Sequence, residues 1–194
     1  FRSPPVEPTP VAAAEPEPEP APAPVDGVGG EWAAALTMIQ REALRGDTSS
    51  RTALLVSAAR LARTRARSPE LARAMLDSVP VKRKNAAAPG EPMLRERAAV
   101  ALAQGDWQAA VGALTALGEA VGGGAAGDVW ISVAELDSGR LGRERDAIAA
   151  LGRVGDQDVR ALFGLLALHR AAGDARAEAD TLDRKSTRLN SSHL

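Results

Sequence analysis

The chain has 194 residues, which is enough for one domain that buries a core. Apolar residues make up 45% of the sequence but aromatic residues only 3%, so alanine and leucine must form the core, as in closely packed helices. There is no cysteine, which excludes disulfides, thiolate nucleophiles and cysteine-ligated metal centres, and the formal net charge of −1 indicates no class of partner.

Residues 1–30 form a low-complexity segment rich in proline, glutamate and alanine. Repeated proline prevents helix formation and sheet pairing, and the segment has too little apolar bulk to fold alone, so we expect a disordered, extended spacer. The alternating Glu-Pro and Ala-Pro resembles the spacers of bacterial envelope proteins, which favours the cell envelope or periplasm over the cytoplasm. Because the chain begins with Phe1, we also expect that sequence upstream of it is missing.

Helical periodicity continues almost without interruption over residues 31–182. Ser68, which precedes a proline, predicts a helix start, while Gly105 and Asp106 predict a helix end and the next N-cap. Asp128 and Asp156 are predicted to cap two further helices. No segment predicts a strand, and no apolar run is long enough to span a membrane. After a first helix, the predicted helices pair as hairpins over residues 51–79, 94–118, 128–152 and 156–182.

The predicted helix–helix turns recur at a fixed period. Gly105, Gly139 and Gly173 each lie at such a turn and are spaced by 34 residues. A helix–turn–helix unit of about 34 residues is typical of tetratricopeptide repeats, and residues 94–117 resemble one such unit. Small residues stand where two helices must approach closely, and larger ones fill the groove beside them. The matching positions are Ala98, Gly105, Trp107, Ala110, Leu114 and Leu117.

The resemblance covers residues 94–182 closely and residues 31–93 loosely. It implies an all-α fold, a tetratricopeptide-like α-solenoid of antiparallel helix hairpins, over residues 31–182. Arg97 and Ala101 depart from the pattern, because these positions are usually apolar and aromatic in the family. A non-repeating α-helical domain is the alternative.

Few residues are candidates for chemistry. His169 lies in an apolar helix without a second histidine or a serine–carboxylate pair nearby, which favours a structural role near the end of its helix. Asp156 and Asp158 are interpreted as helix-capping residues rather than a catalytic pair. The glycine-rich residues 122–127 follow a helix instead of a strand, which excludes a dinucleotide fingerprint. We therefore predict no catalytic, cofactor or metal-binding residue, and no enzyme activity.

Charge is unevenly distributed along the chain. Residues 1–30 have one arginine against five acidic residues, whereas residues 51–97 have eleven Lys/Arg against four acidic residues. Three arginines of the second block share one predicted helix face, and three more basic residues follow in a loop, so a docking patch for an acidic partner is predicted. A solvated helix face and a nucleic-acid site are the alternatives. The predicted partner-binding residues are Arg60, Arg63, Arg67, Lys82, Arg83 and Lys84.

The C-terminal residues differ from the rest of the chain. One reverse translation of residues 183–193 resembles the adapter that is ligated to short-read sequencing libraries. We therefore expect residues 183–194 to be an artefactual, disordered tail, including His193, and the native domain to be truncated near Leu182. Without a capping helix, the last helix is expected to fray.

These observations predict a non-enzymatic protein–protein interaction scaffold that binds a protein or peptide, preferably an acidic one. One alternative is an accessory helical domain of a larger enzyme or regulator whose other domains are missing. Another is a binder of an anionic polymer or nucleic acid through residues 60–84, which a steep salt dependence without sequence preference would favour. No small-molecule substrate is implied.

Overall fold

The computed structural model describes residues 30–79, 89–155 and 158–191. These residues form nine α-helices and one short 3-10 helix at Gly124–Ala126, and they contain no strand, so the predicted all-α class is confirmed. Residues 1–29 of the predicted spacer lie outside the described residues, as do Lys82, Arg83, Lys84, Asp156 and His193, while Gly30 is the first residue of α1. The helices are α1 (Gly30–Arg45), α2 (Thr48–Thr64), α3 (Pro69–Asp77), α4 (Glu91–Gln104), α5 (Trp107–Val121), α6 (Gly127–Gly139), α7 (Glu144–Val154), α8 (Val159–Ala171) and α9 (Ala175–Ser191).

Several helix ends lie where the sequence places them. The Ser68 hydroxyl accepts a hydrogen bond from the backbone N–H of Leu71 at 3.4 Å, one residue before the proline that begins α3. Gly105 ends α4 with a φ of 70°, a left-handed conformation that glycine adopts without strain. The Asp106 carboxylate then accepts from the N–H of Ala109 at 3.0 Å and caps α5. These local signals predicted the helix ends correctly.

Other helix ends differ from prediction. Asp128 does not cap α6, because the preceding 3-10 helix leads directly into α6 at Gly127, which leaves Asp128 in the first turn. Its charge still favours that helix end through the helix dipole. The helix that follows the predicted turn at Gly139 begins only at Glu144, since Gly142, with a φ of 63°, interrupts the chain before it.

The last helix also differs from prediction. α9 continues to Ser191, whereas the sequence predicts a frayed helix and a disordered tail from Asp183. The stretch contains no proline or glycine to end the helix, and Lys185 lies 3.9 Å from the centroid of the Phe163 ring of α8. The origin of residues 183–193 as translated adapter stays a prediction.

Helices pack mainly against their neighbours in the chain. Every consecutive pair from α1 to α9 is in contact, and α2 also contacts α4. One buried cluster lies among α1 to α4, with Met75 and Val100 among its members. A second lies among α5 to α8 around Trp130 and Leu151. The short connections make neighbouring helices into hairpins, which is compatible with a helical-repeat fold.

Hydrogen-bonded side-chain pairs connect positions that lie about one predicted period apart. Six such pairs in the described part of the chain join residues 31 to 36 positions apart. Contacts at this separation link successive helix pairs rather than the two helices of one hairpin. The pairs are Arg60–Glu96, Arg63–Glu96, Arg73–Gln104, Arg73–Asp106, Arg153–Glu119 and Arg160–Asp128.

Two glycines inside helices let neighbouring helices approach closely. A Cβ atom added to Gly118 of α5 would lie 2.7 Å from Cε2 of Trp130 on α6. A Cβ atom added to Gly164 of α8 would lie 2.8 Å from Cδ1 of Leu151 on α7. Real Cβ atoms do not approach other carbon atoms this closely, so each glycine is required by the large residue that covers it.

We expect Gly118→Ala to destabilise the protein by about 1–3 kcal/mol, because the added methyl group displaces Trp130. Gly112→Ala is the matched control on the same helix, since no atom lies within 4 Å of its added Cβ. That control is expected to stabilise by about 0.5–1 kcal/mol through helix propensity. Urea unfolding of the two variants and the parent checks this. Equal stability of the two variants would contradict the close contact between α5 and α6.

Candidate functional site

Two of the predicted partner-binding arginines bind a carboxylate inside the fold. Arg63 of α2 donates from Nε to Oε1 of Glu96 at 2.8 Å and from Nη2 to Oε2 at 3.3 Å. Arg60 donates from Nε to Oε2 at 3.4 Å. Glu96 of α4 is only 2% exposed, so its charge is almost removed from water and depends on these two guanidinium groups. The pair therefore holds α2 against α4.

The remaining predicted residues are not brought together on one helix face. α2 ends at Thr64, and Arg67 follows the helix with a φ of 53°. The expected face of Arg60, Arg63 and Arg67 therefore does not form, because the helix stops one turn too early. The part of the patch at Lys82–Lys84 lies outside the described residues. A partner-binding role for these residues stays a prediction.

A surface groove of about 450 Å³ lies where α3, α4 and α5 meet. Residues of all three helices line the groove, together with Pro89, which precedes α4. Leu94, Val100 and Ala101 form an apolar side on α4. The groove is a concave, mostly apolar surface with a few polar groups, which is the usual character of a binding site. The remaining lining residues are Arg73, Leu76, Asp77, Arg97, Gln104, Ala109, Gly112, Ala113 and Ala116.

The α5 side of the groove has only small residues. Ala109, Gly112, Ala113 and Ala116 follow the i, i+3, i+4, i+7 spacing of one helix face. Gly112 is exposed, and the space beside it is open. Because no long side chain projects from this face, an extended peptide backbone can approach α5 closely. The spacing of small residues was visible in the sequence, but a similar spacing is also found in buried helix faces.

The charged residues of the groove lining are Arg73, Arg97 and Asp77, and Asp77 lies 4.0 Å from Arg73. Arg73 is engaged, since its Nη1 donates to Gln104 at 3.3 Å and to Asp106 at 3.5 Å. Arg97 is half-buried in the lining and makes no ion pair or hydrogen bond with another described residue. Its guanidinium therefore has donors for an incoming carboxylate. In the sequence, Arg97 stands out only as a departure from the repeat pattern. Its position beside a groove could not be predicted, because that position depends on tertiary packing.

Of the candidate chemical residues, Asp158 lies at a helix end, as predicted. Asp158 caps α8, where its Oδ1 accepts from the N–H of Arg160 at 2.9 Å. Hydrogen bonds from the Arg160 side chain lower the pKa of the Asp158 carboxyl, and the same contacts raise the pKa of Arg160. His169 lies in the last turn of α8, as predicted. No group of three or more potential metal ligands occurs among the residues that the structure describes.

Asp137 of α6 is a buried carboxylate that sequence reasoning missed. It is 3% exposed, and its Oδ1 has no hydrogen-bond partner within the described ranges. Burial raises the pKa of the Asp137 carboxyl, and the negative charge of Asp146 raises it further. The positive charge of Arg143 lowers this pKa in part. The residue lies near the start of α7, since its backbone carbonyl accepts from the N–H of Arg143 at 2.7 Å. This carboxylate therefore destabilises the fold when it is ionised.

Comparisons with known proteins give no assignment. A scan against protein-family models, a search of curated proteins and a search of solved structures each gave no match for this chain. Over the described residues, no helix is both long enough and apolar enough to cross a membrane.

Glu96→Ala is expected to lower the free energy of unfolding by about 2 kcal/mol, because it removes the hydrogen bonds to the guanidinium groups of Arg60 and Arg63 and opens a gap between α2 and α4. Glu91→Ala is the matched control on the same helix. Glu91 is half-exposed and pairs only with exposed Arg95 at 2.7 Å, so its loss should cost about 0.5 kcal/mol or less. Urea denaturation of both variants measures the difference. Losses of similar size would show that the Glu96 pair is no stronger than a surface pair.

Asp137→Asn is expected to stabilise the protein by about 1 kcal/mol at about pH 7, because the variant buries no charge. A carboxyl whose folded pKa is raised destabilises the fold progressively as pH rises from the unfolded pKa through the folded pKa. The gain should therefore shrink towards zero as the pH is lowered to about 4. Thermal unfolding across this range tests the trend, with exposed Asp180→Asn on α9 as the control, since Asp180 does not act on Asp137. A gain independent of pH would contradict this origin.

Proposed function

We propose that this chain is a non-enzymatic protein–protein interaction scaffold, in which a tetratricopeptide-like helical repeat binds an acidic peptide segment in the groove between α3, α4 and α5. The observation that carries the proposal is the groove itself, whose lining combines a face of small residues on α5 with half-buried Arg97, which has no partner among the described residues. A small-residue face admits a peptide backbone, and a free guanidinium binds a carboxylate.

The repeat part of the proposal is supported by two independent regularities. Gly105, Gly139 and Gly173 recur every 34 residues, and each lies at the end of a helix or in the turn that follows. The six side-chain pairs that span 31 to 36 residues connect successive helix pairs at nearly the same interval. A stack of similar units explains both, because each unit contacts the next through equivalent positions.

The acidic preference is supported by the charge of the sequence stretch that contains α3 and the first half of α4, two of the helices that line the groove. Residues 51–97, which include α2, α3 and half of α4, have eleven Lys/Arg against four acidic residues. Glu96 is one of those acids, and it is buried against Arg63 and Arg60, so it does not face an incoming peptide. Setting aside Glu96 and the two arginines that it pairs with leaves nine Lys/Arg against three acidic residues in this stretch, an excess that favours an acidic partner and faster association.

A synthetic peptide of sequence EAPAEAPAEA is expected to bind the protein with a Kd on the order of 100 µM, whereas KAPAKAPAKA should not bind. Fluorescence anisotropy of the labelled peptides measures this. Gly112→Leu should weaken binding at least about tenfold, because the leucine side chain fills the open space beside α5.

Gly152→Leu is the matched control, since Gly152 lies on α7 and also has open space beside it. This variant should bind the acidic peptide as the parent does. Equal binding of the two peptides, or the same effect of both leucine variants, would contradict a specific groove. Tight, salt-sensitive binding of a single-stranded oligonucleotide that Gly112→Leu leaves unchanged would instead support the anionic-polymer alternative.

A further inference from the structure

We propose that the groove between α3, α4 and α5 is occupied by the chain's own acidic segment, residues 15–24, so that an external partner must displace it. This inference rests on the proposed function and names an occupant for the same site. The segment has the sequence EPEPEPAPAP and lies on the N-terminal side of α1.

The segment and the groove are complementary in charge. Residues 1–30 have one arginine and five acidic residues, three of them at alternate positions, Glu15, Glu17 and Glu19. Arg97 in the groove lining lacks a partner among the described residues. Because glutamate occurs at every second position, a carboxylate reaches Arg97 in more than one register of the segment. The pairing therefore requires no single fixed alignment.

The segment and the groove are also complementary in shape. Every second residue of the segment is proline, which fixes φ and favours an extended backbone before binding, so little conformational entropy is lost on docking. The residues between the last prolines are Ala21 and Ala23, which are small enough to lie against the α5 face. That face has no side chain larger than a methyl group at Ala109, Gly112 and Ala113. A bulkier acidic peptide would not approach α5 as closely.

The chain between the segment and α1 sets how far the segment can reach. From Gly30, the first residue of α1, back to Glu19 is 11 residues, which would cover about 34 Å if each residue added about 3.1 Å, the rise of an extended chain. α1 has 16 residues and is therefore about 24 Å long. It packs on α2, and α2 packs on both α3 and α4, so the groove lies two helix layers away. A tethered segment has an effective concentration on the order of 1 mM, which makes even weak docking significant.

The test uses the full chain with one spin label. Because the chain has no cysteine, Ala14→Cys gives a single site for a nitroxide next to the segment, outside the residues that would lie against α5. Docking should broaden the backbone amide signals of Ala109, Gly112 and Ala113 on α5, while those of Gly152 on α7 stay sharp. Changing Glu15, Glu17 and Glu19 together to glutamine in the labelled chain should remove most of this broadening. Uniform or absent broadening would overturn the inference.

A second measurement separates this inference from the proposed function. The peptide EAPAEAPAEA is titrated into the parent and into the triple glutamine variant without the label. If the segment competes for the groove, the variant should bind the peptide about tenfold more tightly. Equal affinities with no broadening would overturn self-docking and leave the peptide-binding function intact. If neither protein binds the peptide, the proposed function fails, and broadening that the glutamine changes abolish would still support self-docking.

Discussion

The scarcity of large side chains is the constraint on which the rest of this structure depends. With only 3% aromatic residues and an alanine-rich core, helices bury enough surface only if their backbones approach closely. Gly118, which Trp130 covers, and Gly164, which Leu151 covers, are the clearest cases. Each lacks the Cβ atom that would prevent this contact. Fully buried Ala58, Ala59 and their neighbours in α2 have the same role. The fold is therefore sensitive to added volume more than to lost volume at these points.

The groove follows from the same constraint. α5 packs mainly on α4 and α6, and its small-residue face lines the groove that α3 and α4 share. Elsewhere a small residue of α5 is covered by a neighbouring helix, as at Gly118. At the groove, the space beside Gly112 is open, so a backbone other than a helix can lie there. The small residues that allow close helix packing thus also supply a binding surface.

Electrostatics adds specificity to this architecture. A buried glutamate is costly to desolvate, so the Glu96 pair adds little net stability compared with an apolar contact, but it fixes which faces of α2 and α4 meet. The surrounding basic surface and the acidic segment at the other end of the sequence have opposite charge, although the whole chain is nearly neutral. Under the proposed scheme, this separation of charge along one chain lets the acidic segment dock in the groove and compete with an external partner.

The sequence alone determined the all-α class, the 34-residue recurrence of turns and the caps at Ser68, Gly105 and Asp106. These are local features, because helix periodicity and capping involve hydrogen bonds between residues three or four positions apart. Tertiary structure decided that Arg63 faces Glu96, that Arg97 lines a groove and that Asp137 is buried without a hydrogen-bond partner for Oδ1 in the described residues. Each of these depends on the lengths and contacts of several helices together. Helical spacing is the same for a solvated and a buried face, so packing alone separates the two.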